Sequence, residues 1–396
     1  METTERLYLK NFGPIKELDI EIKPLMVFIG ESGSGKSAIL KLMSLLRWVH
    51  KQNNLRTYFV KSKIAKKADY SRLVSDSLLK VSGLKEFMNS NTEIRFQIGE
   101  TIYENKGKIP TDAKIRGELT LDKVAFISEN RGVLPDIYAN KIPRGLKLPY
   151  YLEDTYNNFL FAFDKLDRKD FFIESTQLTL FEKKGGIPMF YVKGDSINDR
   201  KFELKLENAS SGTKTSVYTE IITSYLTQRY EFKQVLEGGF SDFLINKIQK
   251  SRELGKTDLS LAKFSGKKNL SIFIEEPELS LFPAAQRRLI NRLVKDCFVE
   301  NKQENCTTRL AFATHSPYIV NHLNLLMEAF DRENTEFTDG ASISYDDLGV
   351  WLIQDGVLRD LKARNKHFID VMPLSDDIND IYEKYKILKN GQSISE

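Results

Sequence analysis

Runs of consecutive apolar residues occur at four places along the chain and predict strands that are covered on both faces, as in a parallel sheet. The runs are PLMVFIG (24–30), LDKVAFIS (121–128), SIFIEE (271–276) and RLAFATH (309–315). Long segments without glycine or proline predict helices; they are SAILKLMSLLRWVH (37–50), TSVYTEIITSYLTQRYEF (215–232) and AAQRRLINRLVKDCF (284–298). Strands that alternate with helices are typical of an α/β fold.

Other segments alternate apolar and polar residues, which predicts antiparallel strands with one exposed face. LYLKNF (7–12) and IKELDIEI (15–22) are expected to form an antiparallel edge pair. EIRFQIGETIYENKGKI (93–109) predicts a hairpin with its turn at Asn105–Gly107. VWLIQDGVLRDL (350–361) predicts a second hairpin with Asp355-Gly356 at the turn, and a helix capped by Ser375 is expected near 376–388.

Residues 132–205 carry no recognisable motif and are expected to be an insertion between core elements. Within it, YYLEDTYNNFLFAFDKLD (150–167) and FFIESTQLTLFEK (171–183) predict helices, whereas FYVKGD (190–195) and KFELKL (201–206) predict strands. We therefore expect one α/β domain over 1–325, with this insertion as a helical lobe, and a small hairpin-plus-helix appendage over 326–396.

Composition narrows the class of protein only slightly. With 396 residues, 41% hydrophobic and 29% charged, and a formal net charge of +4, the chain has the balance of a soluble globular protein. The basic run 61–67 fits a solvated helix face or a contact with DNA phosphates, so DNA stays possible as a partner. Two cysteines and four scattered histidines give no zinc pattern, and no apolar run is long enough to span a membrane. We expect a cytoplasmic protein without a membrane partner.

The segment GESGSGKS lies between the first predicted strand and its helix, and it matches the P-loop pattern. Glycines let successive backbone N–H groups turn inward toward phosphate oxygens, and the helix adds its positive N-terminal end. This predicts ATP and Mg²⁺ as ligands, with Lys36 on the β- and γ-phosphates and Ser37 on the metal. The candidate nucleotide-binding residues of this loop are Gly30, Ser32, Gly33, Ser34, Gly35, Lys36, Ser37 and Ala38.

Two carboxylates end the strand 271–276, as the chemistry of nucleotide hydrolysis requires. Glu275 is expected to hold Mg²⁺ through its water shell, and Glu276 is expected to orient and polarise the attacking water. His315 ends the next strand and is placed to reach the γ-phosphate. We therefore predict Glu276 and His315 as catalytic residues.

Small polar residues precede the helix 215–232 in the segment ASSGTK (209–214). A helix that begins after such residues offers free N–H groups to an anion. Ser210, Ser211 and Gly212, called here the signature segment, are therefore further candidates for phosphate binding, although the same residues are also typical of an ordinary helix cap.

With these motifs in this order, the chain resembles the ABC-type ATPases of the RecF, structural-maintenance-of-chromosomes and OLD-like group over roughly residues 6–50 and 205–325. The resemblance implies a homodimer, or a higher even-numbered oligomer, in which Ser210 and Gly212 bind the γ-phosphate held by the opposite subunit. It also implies that Glu278 lies in the D-loop that crosses the interface. Asn11, in the opening segment of the resemblance, is included among the nucleotide-binding candidates.

The sequence departs from the family pattern at several positions. The usual LSGGQ signature is replaced by ASSGTK, a form closer to the OLD-like subgroup, and Phe282-Pro283 stands where many relatives have His-Pro. No clear Q-loop glutamine is visible, and we assign its place to Glu129–Arg131, at a strand end before the insertion.

Four functional classes share these motifs. A transporter subunit is disfavoured by the opening segment and the insertion, and a fused Toprim nuclease by the lack of an Asp-x-Asp pattern after His315. The resemblance favours a stand-alone ATPase of an anti-phage defence system, of Septu or PARIS type, which controls a separately encoded nuclease or toxin. The alternative is a RecF-like DNA-repair clamp that closes around DNA in an ATP-dependent dimer.

Overall fold

The computed structural model describes residues 4–67, 70, 72–139, 147–166, 170–183, 189–195, 201–239, 241, 266–363, 367–374 and 376–389. These residues form an α/β fold with a ten-stranded mixed sheet, helices on both of its faces, and a separate four-stranded sheet. The strands are β1 (Glu5–Phe12), β2 (Ile15–Glu21), β3 (Leu25–Gly30), β4 (Glu93–Ile98), β5 (Thr101–Lys106), β6 (Leu121–Ile127), β7 (Asp170–Ile173), β8 (Leu178–Lys183), β9 (Met189–Asp195), β10 (Lys201–Lys205), β11 (Lys268–Glu275), β12 (Cys306–Thr314), β13 (Leu348–Gln354) and β14 (Val357–Asp360). The α-helices with given bounds are α1 (Lys36–Lys61), α2 (Ser75–Val81), α3 (Leu134–Tyr138), α4 (Tyr150–Asp164), α5 (Ser211–Gln228), α6 (Pro283–Val294), α7 (Pro317–Asp331) and α8 (Asp376–Lys389).

The large sheet has the order β5-β4-β1-β2-β14-β13-β3-β12-β11-β6. Strands β13, β3, β12, β11 and β6 run parallel to one another, and β1, β2, β4 and β5 form an antiparallel N-terminal part. The predicted α/β class, the mixed sheet and the N-terminal antiparallel strands are confirmed.

Strand β3 shows why the parallel strands read as continuous apolar runs. Leu25, Val27 and Ile29 enter one hydrophobic core, whereas Met26 and Phe28 enter the core on the opposite face with α1. Successive side chains point to opposite faces of a strand, so a strand covered on both sides needs apolar residues throughout. The four predicted buried strands are confirmed as β3, β6, β11 and β12.

The antiparallel pair β1–β2 is confirmed, but its predicted edge position is wrong. Strand β4 pairs with β1, and β14 contacts β2 through Val357 and Glu17. The alternating pattern indicates that one face of each strand is polar. It does not indicate which other strands pair with β1 and β2.

The first predicted hairpin exists as β4–β5, but its turn lies elsewhere. Ile98 pairs with Thr101, so the turn is at Gly99-Glu100, and Gly99 has a positive φ of 55°. Gly107 instead follows β5, where its N–H donates to Thr92 O at 2.7 Å. Both glycines adopt a left-handed conformation, and only strand pairing decides which one turns the hairpin.

The second hairpin, β13–β14, has the predicted turn. Asp355 and Gly356 have φ values of 52° and 76°, as a tight hairpin turn requires. Both strands belong to the large sheet, with β13 beside β3, so this part of 326–396 continues the sheet of the main fold. Helix α8 forms as predicted, whereas its expected cap Ser375 lies outside the described residues.

The insertion combines one long helix with a small antiparallel sheet of order β10-β9-β8-β7. The helix predicted at 150–167 is confirmed as α4, and the strands at 190–195 and 201–206 as β9 and β10. The helix predicted at 171–183 is wrong: this segment is the hairpin β7–β8. Its β-branched and aromatic residues favour strands, and pairing of β8 with β9 decides between the two readings. Among the described helices, none combines the length and apolar character needed to cross a lipid bilayer.

Candidate nucleotide site

Four sequence motifs meet at one edge of the large sheet. Strands β3, β12, β11 and β6 are parallel neighbours, so their carboxyl ends lie along the same edge. The P-loop follows β3, Glu276 follows β11, His315 follows β12, and Glu129 follows β6. In open α/β sheets this edge is the usual place for a ligand.

The P-loop needs its glycines for backbone conformation and for space. Gly30, Gly33 and Gly35 have φ values of 156°, 79° and 104°. A Cβ on Gly30 would lie 2.4 Å from Ile353 O, and one on Gly35 would lie 2.9 Å from Ile15 Cδ1. At Gly30 and Gly35 the loop is therefore packed against β13 and the start of β2, where a side chain does not fit, whereas Gly33 is needed for its positive φ alone.

Lys36 is buried at the start of α1, and its Nζ donates to Gly30 O at 2.8 Å and to Glu31 O at 2.7 Å. Burial lowers the pKa of Lys36, and the charges of Glu276, Glu278 and Glu31 oppose that shift. The ammonium group thus lies inside the loop, held by two of the loop's own carbonyl oxygens.

Glu275 is fully buried and faces helix α1. Its Oε1 lies 2.9 Å from Lys41 Nζ, and its Oε2 accepts from Glu129 N at 3.3 Å. Burial raises the pKa of Glu275, and Lys41 opposes that shift. Ser37 lies one turn before Lys41, so hydroxyl and carboxylate belong to the same side of α1. A serine hydroxyl beside one carboxylate suits Mg²⁺, which takes its other ligands from phosphates and water.

Glu276 has a left-handed backbone conformation, with φ 42°. For a residue other than glycine such a conformation costs on the order of 1–3 kcal/mol and is common at functional sites. Its N–H donates to Ala313 O at 2.9 Å, and its Oε1 lies 3.5 Å from His315 Nε2. The structure therefore brings together the two residues that were predicted to be catalytic.

The structure places Glu278 against His315 of the same chain. The backbone N–H of His315 donates to Glu278 Oε1 at 2.6 Å, and burial raises the pKa of the Glu278 carboxyl. This hydrogen bond from His315 to Glu278 thus fixes the loop that carries His315. Its predicted place at a subunit interface stays a prediction.

The signature segment begins helix α5. The Ser210 hydroxyl accepts from Thr213 N at 3.3 Å, and Ser210 and Ser211 are exposed. Gly212 is buried against the loop that follows Glu276, where a Cβ would lie 2.6 Å from Ser280 O. The N-terminus of α5 is thus anchored beside the loop that follows Glu276, with two hydroxyl-bearing residues on the surface.

Asn11 lies near the C-terminal end of β1 and has a positive φ of 51°. Its Nδ2 donates to Asn91 O at 3.3 Å, and its backbone oxygen accepts from Asn89 Nδ2 at 3.1 Å. These contacts tie the end of β1 to the residues that precede β4. A nucleotide contact of Asn11 stays a prediction.

Two further residues complete the site: Lys41, to which the sequence analysis gives no role, and Arg131, which lies in the segment assigned to the Q-loop. Lys41 pairs with Glu275. The sequence feature that could have identified Lys41 is its position four residues after Ser37, on the same side of the helix. Arg131 is fully buried in the turn after β6, within the segment proposed as the Q-loop. The sequence placed Arg131 in the Q-loop segment after β6, but it gave no indication of the hydrogen bonds that this side chain makes.

No protein-family model matches the sequence, and no curated protein matches it. Solved structures do match over most of their length. The SMC head domain from Thermotoga maritima is 14% identical, with 91% of this chain and 98% of that chain covered and a TM-score of 0.31. The recombination mediator protein RecF, described with ATPrS, is 11% identical, with 90% and 98% covered and a TM-score of 0.38. An ATP-binding cassette, described as a post-hydrolysis dimer bound to ADP and Pi, is 12% identical, with 90% and 99% covered and a TM-score of 0.30.

The geometry of the chain itself defines the class of fold. A P-loop between β3 and α1, the acidic end of β11 and the histidine after β12 lie on parallel strands in the order β3-β12-β11. The molecule has an α/β P-loop fold of ABC type, with N-terminal antiparallel strands and an insertion before the signature helix α5.

Proposed function

We propose that this protein binds ATP with Mg²⁺ and hydrolyses ATP to ADP and phosphate. The observation that carries the proposal is the position of Glu276, whose carboxylate lies 3.5 Å from His315 and close enough to Lys36 to affect its pKa. A general base, a residue that reaches the γ-phosphate and a phosphate-binding lysine are thus gathered at one edge of the sheet.

Each residue has a distinct role in this reaction. Lys36 and the N–H groups of the P-loop bind and orient the phosphates, and Glu276 orients the attacking water and accepts its proton. His315 contacts the γ-phosphate side of the site. Bound Mg²⁺, held by Ser37 and Glu275, supplies positive charge to the phosphate oxygens.

We further propose a homodimer, or a higher even-numbered oligomer, that closes around ATP. The exposed residues Ser210 and Ser211 at the start of α5 support this, because the free N–H groups of a helix N-terminus attract phosphate. In the proposed dimer each signature segment binds the γ-phosphate held by the other subunit, and hydrolysis reopens the interface.

The insertion supports a regulatory role, because it is attached directly to the signature helix. The buried carboxylate of Glu220 in α5 accepts from the N–H groups of Glu174 and Ser175, at 2.7 and 3.0 Å, in the turn between β7 and β8. Arg288 of α6 donates to the carbonyl oxygens of the same two residues. A movement of α5 would therefore be transmitted to the insertion.

On this basis we propose that the insertion docks a separately encoded nuclease or toxin, and that the ATPase controls this effector in anti-phage defence. The sequence resemblance to stand-alone defence ATPases supports the proposal. A RecF-like DNA-repair clamp uses the same ATP-dependent dimer and is the competing function.

One purification distinguishes the two functions. The Glu276→Gln variant is isolated from its native host with ATP, and mass spectrometry and nucleic-acid detection identify what co-elutes, with Lys36→Ala as the matched control. A nuclease or toxin from a neighbouring gene, absent from the control, supports the regulatory function. Recovery of DNA with repair proteins and no effector contradicts it and supports the clamp.

A further inference from the structure

Arg131 is a fully buried guanidinium that donates to four backbone carbonyls. Its Nε donates to Thr215 O at 3.0 Å, and its Nη1 donates to Ser128 O at 3.0 Å and Glu275 O at 2.8 Å. Its Nη2 donates to Glu276 O at 2.6 Å. One planar side chain therefore joins the turn after β6, the end of β11 and the first turns of helix α5.

The geometry of arginine makes this junction stiff. The guanidinium presents its donors in a fixed planar fork, so Nε cannot follow a displaced acceptor unless the two Nη atoms move as well. Burial lowers the pKa of Arg131 to about 10, and the carboxylates of Glu278, Glu275 and Glu276 oppose that shift. The group is consequently charged at neutral pH, and its hydrogen bonds are of the stronger, charge-assisted type.

Glu276 is the residue most constrained by this junction. Its N–H is held by Ala313 O and its carbonyl oxygen by Arg131, on the two sides of a backbone with a positive φ of 42°. Both peptide groups that set the direction of the Glu276 side chain are thus fixed. Besides the Arg131 contacts, a hydrogen bond from Thr215 Oγ1 to Leu279 O, at 2.8 Å, joins α5 to the loop that follows Glu276.

We propose that Arg131 is a positioning residue that couples the signature helix α5 to the orientation of Glu276. When the signature segment engages a γ-phosphate, α5 is held in place, and Arg131 holds the Glu276 backbone in the conformation that directs its carboxylate at the attacking water. The inference rests on the ATPase function proposed above. In this role Arg131 makes no contact with nucleotide.

The test compares Arg131→Lys with the wild type in steady-state ATP hydrolysis. Lysine keeps the charge but loses the planar fork, so we expect kcat to fall by about 100-fold, as for a slightly misplaced catalytic group. ATP binding, measured by titration calorimetry, is expected to change by less than about threefold, because the P-loop is untouched. Arg131→Gln carries the same expectation if the lysine variant does not remain folded.

Arg288→Lys is the matched control. Arg288 also donates to backbone carbonyls, those of Glu174 and Ser175, which lie in the turn between β7 and β8 and not in the loop that carries Glu276. We expect its kcat to stay within about twofold of the wild type. A folded Arg131 variant with kcat within twofold of the wild type would overturn the coupling.

A double-mutant cycle with Ser210→Ala separates positioning from stability. If Arg131 transmits engagement of the signature segment, the two substitutions act on one step, and the double variant is expected to be little slower than the slower single variant. A structural role only would be shown if the fold-losses in kcat of the two single variants multiply in the double variant and if the Arg131 variant also loses melting temperature and ATP affinity. A wild-type protein that binds but does not hydrolyse ATP would instead refute the proposed function, on which the coupling depends.

Discussion

The carboxylate of Glu276 and the imidazole of His315 lie 3.5 Å apart, Oε1 to Nε2, at the adjacent ends of two parallel strands. The backbone N–H of His315 is held at the same time by Glu278 Oε1 at 2.6 Å. One acidic residue therefore contacts the ring of His315, and another fixes its backbone. This single chain thus orients His315 toward the Glu276 carboxylate through its own contacts.

Lys36→Ala is expected to abolish nucleotide binding. Lys36 Nζ is the buried ammonium group of the P-loop, and charge-assisted hydrogen bonds to phosphate contribute enough that affinity should fall by at least about 100-fold. Isothermal titration with ATP and Mg²⁺ measures the change. Lys61→Ala, an exposed lysine at the end of the same helix, is the control and should bind as the wild type does. Tight binding by Lys36→Ala would show that the P-loop assignment is wrong.

Glu276→Gln is expected to bind ATP normally and to hydrolyse it about 100- to 1,000-fold more slowly, because the amide cannot accept the proton of the attacking water. Because ATP stays bound, an ATP-bound dimer should accumulate, and light scattering after size-exclusion chromatography detects it. Hydrolysis at the wild-type rate would place the general base elsewhere.

Lys41→Met is expected to move the acid limb of ATP hydrolysis to higher pH. Burial raises the pKa of Glu275, and Lys41, whose Nζ lies 2.9 Å away, opposes that rise. Without Lys41 the pKa of Glu275 rises further, so the carboxylate is protonated, and its Mg²⁺ site weakened, at a higher pH than in the wild type. The kcat/KM profile of Lys61→Met serves as the comparison. Superimposable acid limbs for the two variants would contradict this role of Lys41.

Gly212→Ala is expected to displace the start of α5 from the loop that follows Glu276. The new Cβ would lie 2.6 Å from Ser280 O, a backbone atom that cannot rotate away. We expect lower kcat and a loss of about 1–3 kcal/mol in the free energy of unfolding. Gly238→Ala is the matched control, because its Cβ would meet nothing within 4 Å. Equal behaviour of both variants in urea unfolding and ATP hydrolysis would refute the packing argument.

Glu220→Gln is expected to reduce the dependence of stability on pH. Burial raises the pKa of Glu220 from 4.5 to about 7, while hydrogen bonds from Ser175 and Glu174 and the charge of Arg292 oppose the shift. Because the folded pKa is the higher one, the stabilisation is complete below pH 4.5 and is lost as the pH rises through 7, by at most on the order of 3 kcal/mol.

Melting temperatures of wild type and Glu220→Gln between pH 5 and 8 measure this effect. The wild type should lose stability over that interval, and the variant should lose less. Some slope is expected to remain in the variant, because burial also raises the pKa of Asp296 to about 6. A variant with the slope of the wild type would show that Glu220 does not titrate in this range.

Local sequence patterns predicted some elements of the fold correctly and others wrongly. The apolar runs predicted β3, β6, β11 and β12 correctly, because burial on both faces leaves a local record in each strand. The pattern of residues 171–183 fits a helix as well as a hairpin, and only the pairing of β8 with β9 makes this segment the hairpin β7–β8 in place of the predicted helix. The turn at Gly99 was placed at Gly107 for the same reason, because strand register depends on the partner strand.

The sequence by itself determined the α/β class and the positions of the P-loop and of the residues at the strand ends, since glycine spacing, apolar runs and strand-end residues are local properties. Only the tertiary structure decided which side chains meet. Arg131 reaches Thr215 and Glu276, and Glu220 reaches the turn at Glu174, across separations that no local pattern encodes. Buried charged and polar groups must find hydrogen-bond partners wherever the fold provides them, so their roles appear only when the chain is folded.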